Sequence, residues 1–513
     1  MKKVVVKKKR YVDSVSLMSV SGRVTELPGV DTIDVLMATT VNQNSLRESG
    51  YDIPNDVTAD DLVLAVTAES EAKCDEAIQA AMDIIDRKHV EADSSFETLD
   101  DENLKAETYD LCQISLPGEY AYAEAMKALD KGLDLFIFSD NVSLEEERKL
   151  KEYGKEKGKL VMGPDAGVGL IDGVALAAGS INSKGPVGIV GASGSGAQEI
   201  ACLIEHRGLG ISQLIGTGGR DLYPEIGGIT MLEGIKRLEN DDETKLIVLV
   251  SKLADLNVMD KVLYRADECK KPVVAIFLGA DESLFERHKV TPAYSLEEAA
   301  LKAVEALTGV KQYPQFTDEE IEKLAKEEVA KLPMERKYFR GLYCGGTFTE
   351  EGLLYFSKHN KGVELHSNLV NKYSKKLEDS HKSVGHSILD MGAEDFTAEA
   401  PHPVFNPELR LKRLREELQD PEVGVVLMDF ITGPGVARDP ITSHAKECKK
   451  LKDAGVPVIF IANICGSDND PQNIKEKVKL LKEAGVIVTG SNYESAKIAS
   501  AMMTELERRQ VNG

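Results

Sequence analysis

Two kinds of hydrophobic pattern succeed one another along this chain: short β-branched runs, and stretches with an apolar position every three or four residues. Over residues 1–90 they fall at Lys3–Val12, Ser14–Ser19, Thr32–Ala38, Asp61–Val66 and Glu71–Ile85, the last with Ala72, Ala77, Ala80, Ala81 and Ile84 on helical spacing. This predicts a small α+β domain. Residues 91–108 have no period and carry seven acids against one lysine, the composition of a solvated linker.

From residue 110 strand and helix patterns alternate: Leu111–Leu116, Tyr120–Lys131, Leu133–Phe138, Leu144–Lys155 and Lys159–Met162. Such alternation implies a parallel sheet. A further unit starts at Pro186, with strands expected at Val187–Val190, Gln213–Ile215, Leu246–Val250 and Val273–Phe277. Thr317 to Glu320 has the form of a capping box, so 317–332 reads as a linker helix. A last α/β unit runs from Phe339 to about Arg508. The expected domains are 1–90, 109–184, 185–310 and 336–513.

The last two units repeat one another. GASGSGAQE (191–199) matches YCGGTFTEE (343–351), GTGGRD (216–221) matches DMGAED (390–395), DDETKLIVLVSK (241–252) matches QDPEVGVVLMDF (419–430), and KKPVVAIFLG (270–279) matches GVPVIFIANI (455–464). The offset only grows, from 152 to about 185 residues, which means one topology with insertions in the second copy, the largest between 352 and 389.

Composition narrows the function. Of 513 residues, 63 are Lys or Arg and 86 are Asp or Glu, a net charge of −23 that repels nucleic acid and anionic lipid. Seven scattered cysteines without a CxxC suggest neither zinc nor disulfides and fit a reducing cytoplasm. No apolar stretch approaches the length of a membrane span. The 42 glycines cluster at predicted strand-to-helix turns, where amide groups at the positive end of a helix meet anions readily.

The candidate anion loops are Gly191–Gly196, with Ser193, Gly194, Ser195 and Gly196, then Gly216–Asp221, with Gly218 and Gly219, then Gly345-Gly346-Thr347, and Ile431–Gly435. GASGSG matches neither a GxxxxGK[ST] phosphate loop nor GxGxxG, so it specifies no nucleotide. Any one of these loops alone is also what a tight strand-to-helix turn requires. Arg220 is a candidate clamp for phosphate or carboxylate, with an ion pair to Asp221 or Glu225 as the alternative. His402, held in Ala400-Pro-His-Pro-Val404, is the acid/base candidate, with a structural turn as the alternative. Cys344 is either a thiol activated by a helix N-terminus or, as favoured, a small buried hydrophobe. No GxSxG nucleophile elbow and no metal site are found.

GPVGIVGASGSGAQE, IGTGGRDLYPEIGGITMLEGIKRL and TKLIVLVSK resemble the ligase domain of the succinyl-CoA synthetase α subunit. LVMGPDAGVGLI (160–171) resembles the end of that subunit's CoA-binding domain, where the family has a Gly-Pro-Asn turn. Residues 389–440 are similar to the carboxyl-terminal domain of the β subunit, and nearly the whole chain resembles the FdrA family, described as acyl-CoA synthetase-like. The resemblance implies an α/β architecture: a partial, CoA-binding-like Rossmann domain and two flavodoxin-like, synthetase-type domains, behind the amino-terminal α+β domain. Three family features are missing: the active-site His in Gly-His-Ala-Gly, for which only His288 is present, the ATP-grasp domain, and the Gly-rich CoA loop.

By the same resemblance, two helices should face a phosphate, starting at Ser193–Gly196 and at Gly433–Val436, the latter comprising Gly433, Gly435 and Val436. Arg220 would neutralise phosphate or carboxylate charge, and Gly345–Thr347 would add a substrate contact. The family's link to oxamate carbamoyltransferase implies a cytoplasmic transferase subunit in a multi-subunit oligomer, exchanging oxalurate and phosphate for oxamate and carbamoyl phosphate in purine breakdown. Its substrates would be carbamoyl phosphate or phosphate, with no metal. The alternatives are an acyl-CoA synthetase that uses CoA and borrows its nucleotide machinery from a partner, and a non-catalytic scaffold.

Overall fold

A computed structural model describes residues 1–25, 27–90, 98–100, 104–398 and 400–512. The amino-terminal runs form β1 (Lys2–Lys7), α1 (Ser14–Val24), β2 (Val30–Met37), α2 (Thr40–Glu48), β3 (Leu62–Ala68) and α3 (Glu71–Val90). The strands pair antiparallel in the order β1-β3-β2. Because successive strand residues face opposite sides, Leu62, Leu64 and Val66 join α1 and α3, while Val63 and Ala65 join Leu46 of α2 and Ile53. The run at Ser14–Ser19 is the start of α1, where the Asp13 carboxylate accepts the Ser16 amide at 2.9 Å. Most of the acidic stretch 91–108 lies outside the described residues.

Strand–helix alternation then gives β4 (Leu111–Ile114), α4 (Gly118–Asp130), β5 (Asp134–Ile137), α5 (Leu144–Glu156) and β6 (Val161–Met162), a three-stranded parallel sheet. The next two strands, β7 (Val168–Ile171) and β8 (Val174–Ala177), leave that sheet as a hairpin. β7 pairs antiparallel with the following sheet, so that sheet recruits residues from before 185.

That sheet contains β9 (Lys184–Gly191), β10 (Ile211–Gly216), β11 (Leu246–Lys252), β12 (Val273–Leu278) and β13 (Thr291–Pro292), with α6 (Gly194–Glu205), α7 (Ile229–Asn240), α8 (Leu256–Asp267) and α9 (Leu296–Thr308). Its order is β13-β12-β11-β9-β10-β7-β8. α10 (Asp318–Val329), opened by the Thr317/Glu320 capping box, leads to the second copy. There β14 (Tyr338–Tyr343), α11 (Gly346–His359), β15 (Leu365–Ser367), β16 (Lys375–Lys376), β17 (His386–Asp390), α12 (Glu394–Thr397), α13 (Glu408–Glu417) and β18 (Val423–Ile431) are followed by α14 (Thr442–Asp453), β19 (Ile459–Cys465), α15 (Ile474–Glu483), β20 (Val486–Thr489) and α16 (Asn492–Asn512).

The sheet orders establish the repeat. The parallel series β10-β9-β11-β12-β13 in one unit has its counterpart in β17-β14-β18-β19-β20 of the other, the flavodoxin-like order. The insertion between 352 and 389 supplies β15 and β16, which extend the second sheet beyond β17. Its Tyr373 hydroxyl comes within 2.7 Å of where a Cβ on Gly279 would lie, so the insert leans on the other repeat. One apolar core runs through both repeats, from Ile200 of α6 and Leu296 of α9 to Phe348 of α11 and Met502 of α16.

Candidate active site

Each repeat turns from its first strand into a helix through a short glycine-containing loop. In the first, β9 ends at Gly191 and Ser193 is the N-cap of α6; in the second, β14 ends at Tyr343 and Gly345 is the N-cap of α11. Neither cap residue turns a side chain back onto its own helix. Instead Ser193 Oγ and Thr347 Oγ1 share a buried hydrogen bond of 2.7 Å across the two repeats. Both helices therefore present first-turn amides to one cleft of about 420 Å³. Each N-terminus acts as about half a positive charge.

Of the residues singled out in the sequence, Ser193, Gly194, Ser195, Gly218, Gly219, Arg220, Gly346 and Thr347 line this cleft together. Gly196 and Gly345 lie just behind it. A side chain on Gly196 would press on Thr347, and the Gly345 amide donates to Asp429 at 2.9 Å.

Arg220 pairs with neither Asp221 nor Glu225. Its Nη2 donates to the Val142 carbonyl and meets Glu147 Oε2, both at 2.8 Å. Asp221 takes Lys151 Nζ at 2.8 Å together with the amides of Thr230 and Met231. Lys151 also donates to Glu147 and to the Thr217 carbonyl, and the side chains of Lys151, Glu147 and Asp221 are wholly buried. This network clamps α5 to the loop that carries Arg220. In the sequence Glu147 and Lys151 fall within the helical pattern Leu144–Lys155, and their i, i+4 spacing is the signal that marks them as a pair.

Three further groups line the cleft that no motif in the sequence marks: Asp165, Tyr223 and Lys252. Gly218 makes the placement of Asp165 workable, because a Cβ there would overlap the Pro164 carbonyl and the backbone has φ +84°. Asp165 itself is left-handed, with φ +58°. Its carboxylate reaches cleft water, yet the protein around it strips enough hydration to raise its pKa to about 6; Asp140 adds to the rise and Arg220 opposes it. Lys252 projects from the end of β11 toward α11, 3.4 Å from Glu350. Behind it Asp390 is buried and also raised to about 6, by desolvation against the opposing charge of Lys252.

The other expected helix start fails. No helix begins at Gly433–Val436, because Pro434 and Pro440 interrupt the chain and Asp439 caps the amides of Ile441 and Thr442, moving the start of α14 to Thr442. The segment packs on the β8 turn instead: a Cβ on Gly435 would overlap the Ala177 carbonyl, and one on Gly433 would press on Ala178. Val436 is buried in the shared core. Gly433, Gly435 and Val436 are thus interdomain packing residues, and α11 takes the facing position.

His402 is likewise outside the cleft lining. Its Nδ1 accepts the Val404 amide at 3.1 Å, its Nε2 abuts Gly392, and burial pushes its pKa down to about 4. It is a neutral ring in a turn. His288 is buried between Asp260 and Asp267, at 3.0 and 2.7 Å. Cys344 is an inert thiol, bonded to Asp429 and raised well above the ordinary range by burial.

Three family models match the chain: CoA-ligase over residues 342–502, CoA binding domain over 182–279, and AllF, heavy metal-associated domain, over 1–131. The CoA-binding match falls on the first flavodoxin-like unit, which carries the Gly191–Gly196 and Gly216–Arg220 loops. The uncharacterized protein YahF of Escherichia coli K12 is 39% identical over 97% of this chain and 98% of its own. The malate–CoA ligase α subunit of Methylorubrum extorquens is 27% identical over 31% of this chain and 55% of that subunit, little more than half its length. The solved ATP citrate lyase of Methanothrix soehngenii is a loose likeness, 13% identical over 79% and 83% of the two chains with a TM-score of 0.34.

The residues present do not fit a heavy metal. Among the described residues no group of three His, Cys, Asp or Glu side chains could hold an ion, and Cys74 is buried with its thiol on the Met1 carbonyl. The turn between β4 and α4 does not fit the phosphates of CoA either: Pro117 caps the helix, and the one glycine, Gly118, packs against the Asp140 carbonyl. The cleft loops fit an anion. No helix among the described residues is long and apolar enough to cross a membrane.

Proposed function

This chain belongs to one family with YahF and carries CoA-ligase and CoA-binding domains, and from that premise we propose an enzyme of the acyl-CoA ligase type whose cleft handles an acyl phosphate. The observation that carries the reading is the Ser193–Thr347 contact, which holds two uncapped helix N-termini over one space. Two such ends, with Arg220 and Lys252, offset the charge of a phosphoryl dianion within a few ångströms, despite a chain charge of −23. Since His402 lies outside the lining and both ring nitrogens of His288 are taken up by Asp260 and Asp267, we assign no phosphohistidine step. The phosphate acts as a free substrate.

The transfer we favour is carbamoyl exchange, in which oxalurate and phosphate yield oxamate and carbamoyl phosphate. The cleft has room for phosphate beside a small carboxylate, and the Nε and Nη1 of Arg220, on opposite sides of the guanidinium, carry no hydrogen bond among the described residues. Partner subunits and a cytoplasmic location belong to this proposal, the latter supported by seven free cysteines. The test is phosphate release from carbamoyl phosphate plus oxamate by the full chain, with thermal shifts for each ligand. Stabilisation by phosphate and carbamoyl phosphate but little by CoA or ATP is expected. The reverse order would support the second reading, an acyl-CoA synthetase that borrows its nucleotide machinery; the CoA-binding match over 182–279 favours that one.

A further inference from the structure

We propose that Asp165 is the acid/base group of the cleft, the proton carrier for transfer of the acyl group between nitrogen and phosphate. The inference rests on the acyl-phosphate reading above and adds the residue that reading lacks. With His402, His288 and Cys344 all committed elsewhere, the carboxylate of Asp165 is the acid that reaches the cleft water among the described lining residues.

Its placement is unusual for a structural residue. Asp165 is held at φ +58° between Gly163-Pro164 and Ala166, anchored by its amide on the Ser139 carbonyl at 2.9 Å. The side chain opens to the cleft and makes no hydrogen bond or ion pair among the described residues, whereas nearby Glu147 and Asp221 are buried and paired. Gly218 and Gly219 are bare where they pass it, and its Oδ2 stands 3.8 Å from the Cβ position of Gly219, next to Arg220. The charged groups that face it come from all sides: Asp140 after β5, Glu147 of α5, Arg220 after β10 and Lys252 at the end of β11. Loss of hydration, aided by Asp140 and Glu147, favours its protonated form, and Arg220 and Lys252 favour its anion, which leaves it able to exchange a proton at about pH 6.

The proton balance closes on this one group. Hydrogen phosphate attacks the carbamoyl carbon, a C–O bond forms and the C–N bond breaks. Protonated Asp165 gives its proton to the departing amide nitrogen, and the carboxylate takes up the proton of the attacking hydrogen phosphate. Charge and atoms are conserved, with no oxidant, metal or nucleotide.

The test is Asp165→Asn, which keeps the shape and tolerates the left-handed backbone. The full-length variant should melt like the parent and bind phosphate by calorimetry at least as tightly. Its turnover should fall by about 10²–10⁴-fold. The parent's phosphate affinity relative to the variant's should fall as pH rises past 6, a ratio in which the ionisation of phosphate itself cancels. Turnover within a few fold of the parent, with phosphate still bound, overturns the assignment alone. A parent chain that binds no phosphate and releases none overturns the acyl-phosphate reading and this assignment together.

Discussion

Glu199 and Glu351 hold equivalent positions in the two repeats, and each accepts the first-turn amide of the last helix of the other repeat. Glu199 Oε1 takes the Asn492 amide at 2.9 Å, and Glu351 Oε1 takes the Leu296 amide at 2.8 Å. The exchange stands behind the Ser193–Thr347 contact, since Glu199 lies in α6 and Glu351 in α11. Thus the same two helices that present amides to the cleft also fasten the repeats together.

This fastening is sensitive to pH. Desolvation raises Glu199 from 4.5 to about 8 and Glu351 and Glu297 to about 7. Between the ordinary and the raised values the folded chain holds protons that the unfolded chain has released. Their contribution is therefore fully present below about pH 4.5 and is lost as pH rises through 7 to 8. Glu199→Gln should match the parent in urea at pH 5 and exceed it at pH 8.5, by on the order of 1–3 kcal/mol. A variant with the parent's pH slope would refute the account.

Thr347→Val removes the hydroxyl that meets Ser193 while keeping the side-chain shape. It leaves one buried hydroxyl without its partner, at a cost of about 1–3 kcal/mol. Phosphate affinity, read by calorimetry, should fall with it, because the two helix ends are no longer pinned to one spacing.

For Arg220→Ala two losses are expected. Activity should fall by about 10²-fold or more as charge stabilisation disappears. Stability should also drop by about 1–3 kcal/mol, because buried Glu147 keeps only Lys151. Adding Glu147→Gln should restore the urea midpoint and leave activity low, which separates the two roles.

His402→Asn should keep turnover close to the parent's, far from the 10²–10⁴-fold loss of a missing general base. Its ring is an acceptor for the Val404 amide, depressed to about 4 and already neutral at pH 7. A bell-shaped pH profile that loses one limb in this variant would return His402 to the site.

Much of the architecture was legible along the chain. Strand and helix periods, the Thr317 capping box and the growing offset between copies are near-neighbour properties, set by pleat, turn and cap, and the sheets follow them. The same holds for the loops at Ser193–Ser195, Gly218–Arg220 and Gly346–Thr347, since a strand turning tightly into a helix needs small residues wherever the fold puts it.

Which loops meet is another matter. Gly433–Val436 reads like a helix start as plausibly as Gly346–Thr347, and the choice between them is made by residues far apart in sequence: the β8 turn that fills the space at Gly435, and the crossed Glu199 and Glu351 caps that bring α6 to α11. Asp165, Lys252, and the buried Glu147, Lys151 and Asp221 gained their meaning in the same way. A charge in a sequence has only its neighbours along the chain, whereas its protonation and its partners depend on which distant surfaces strip it of water. The local periods alone determined two repeated α/β units with anion-ready turns; packing between those units decided that two of the turns form one cleft and that an aspartate opens into it.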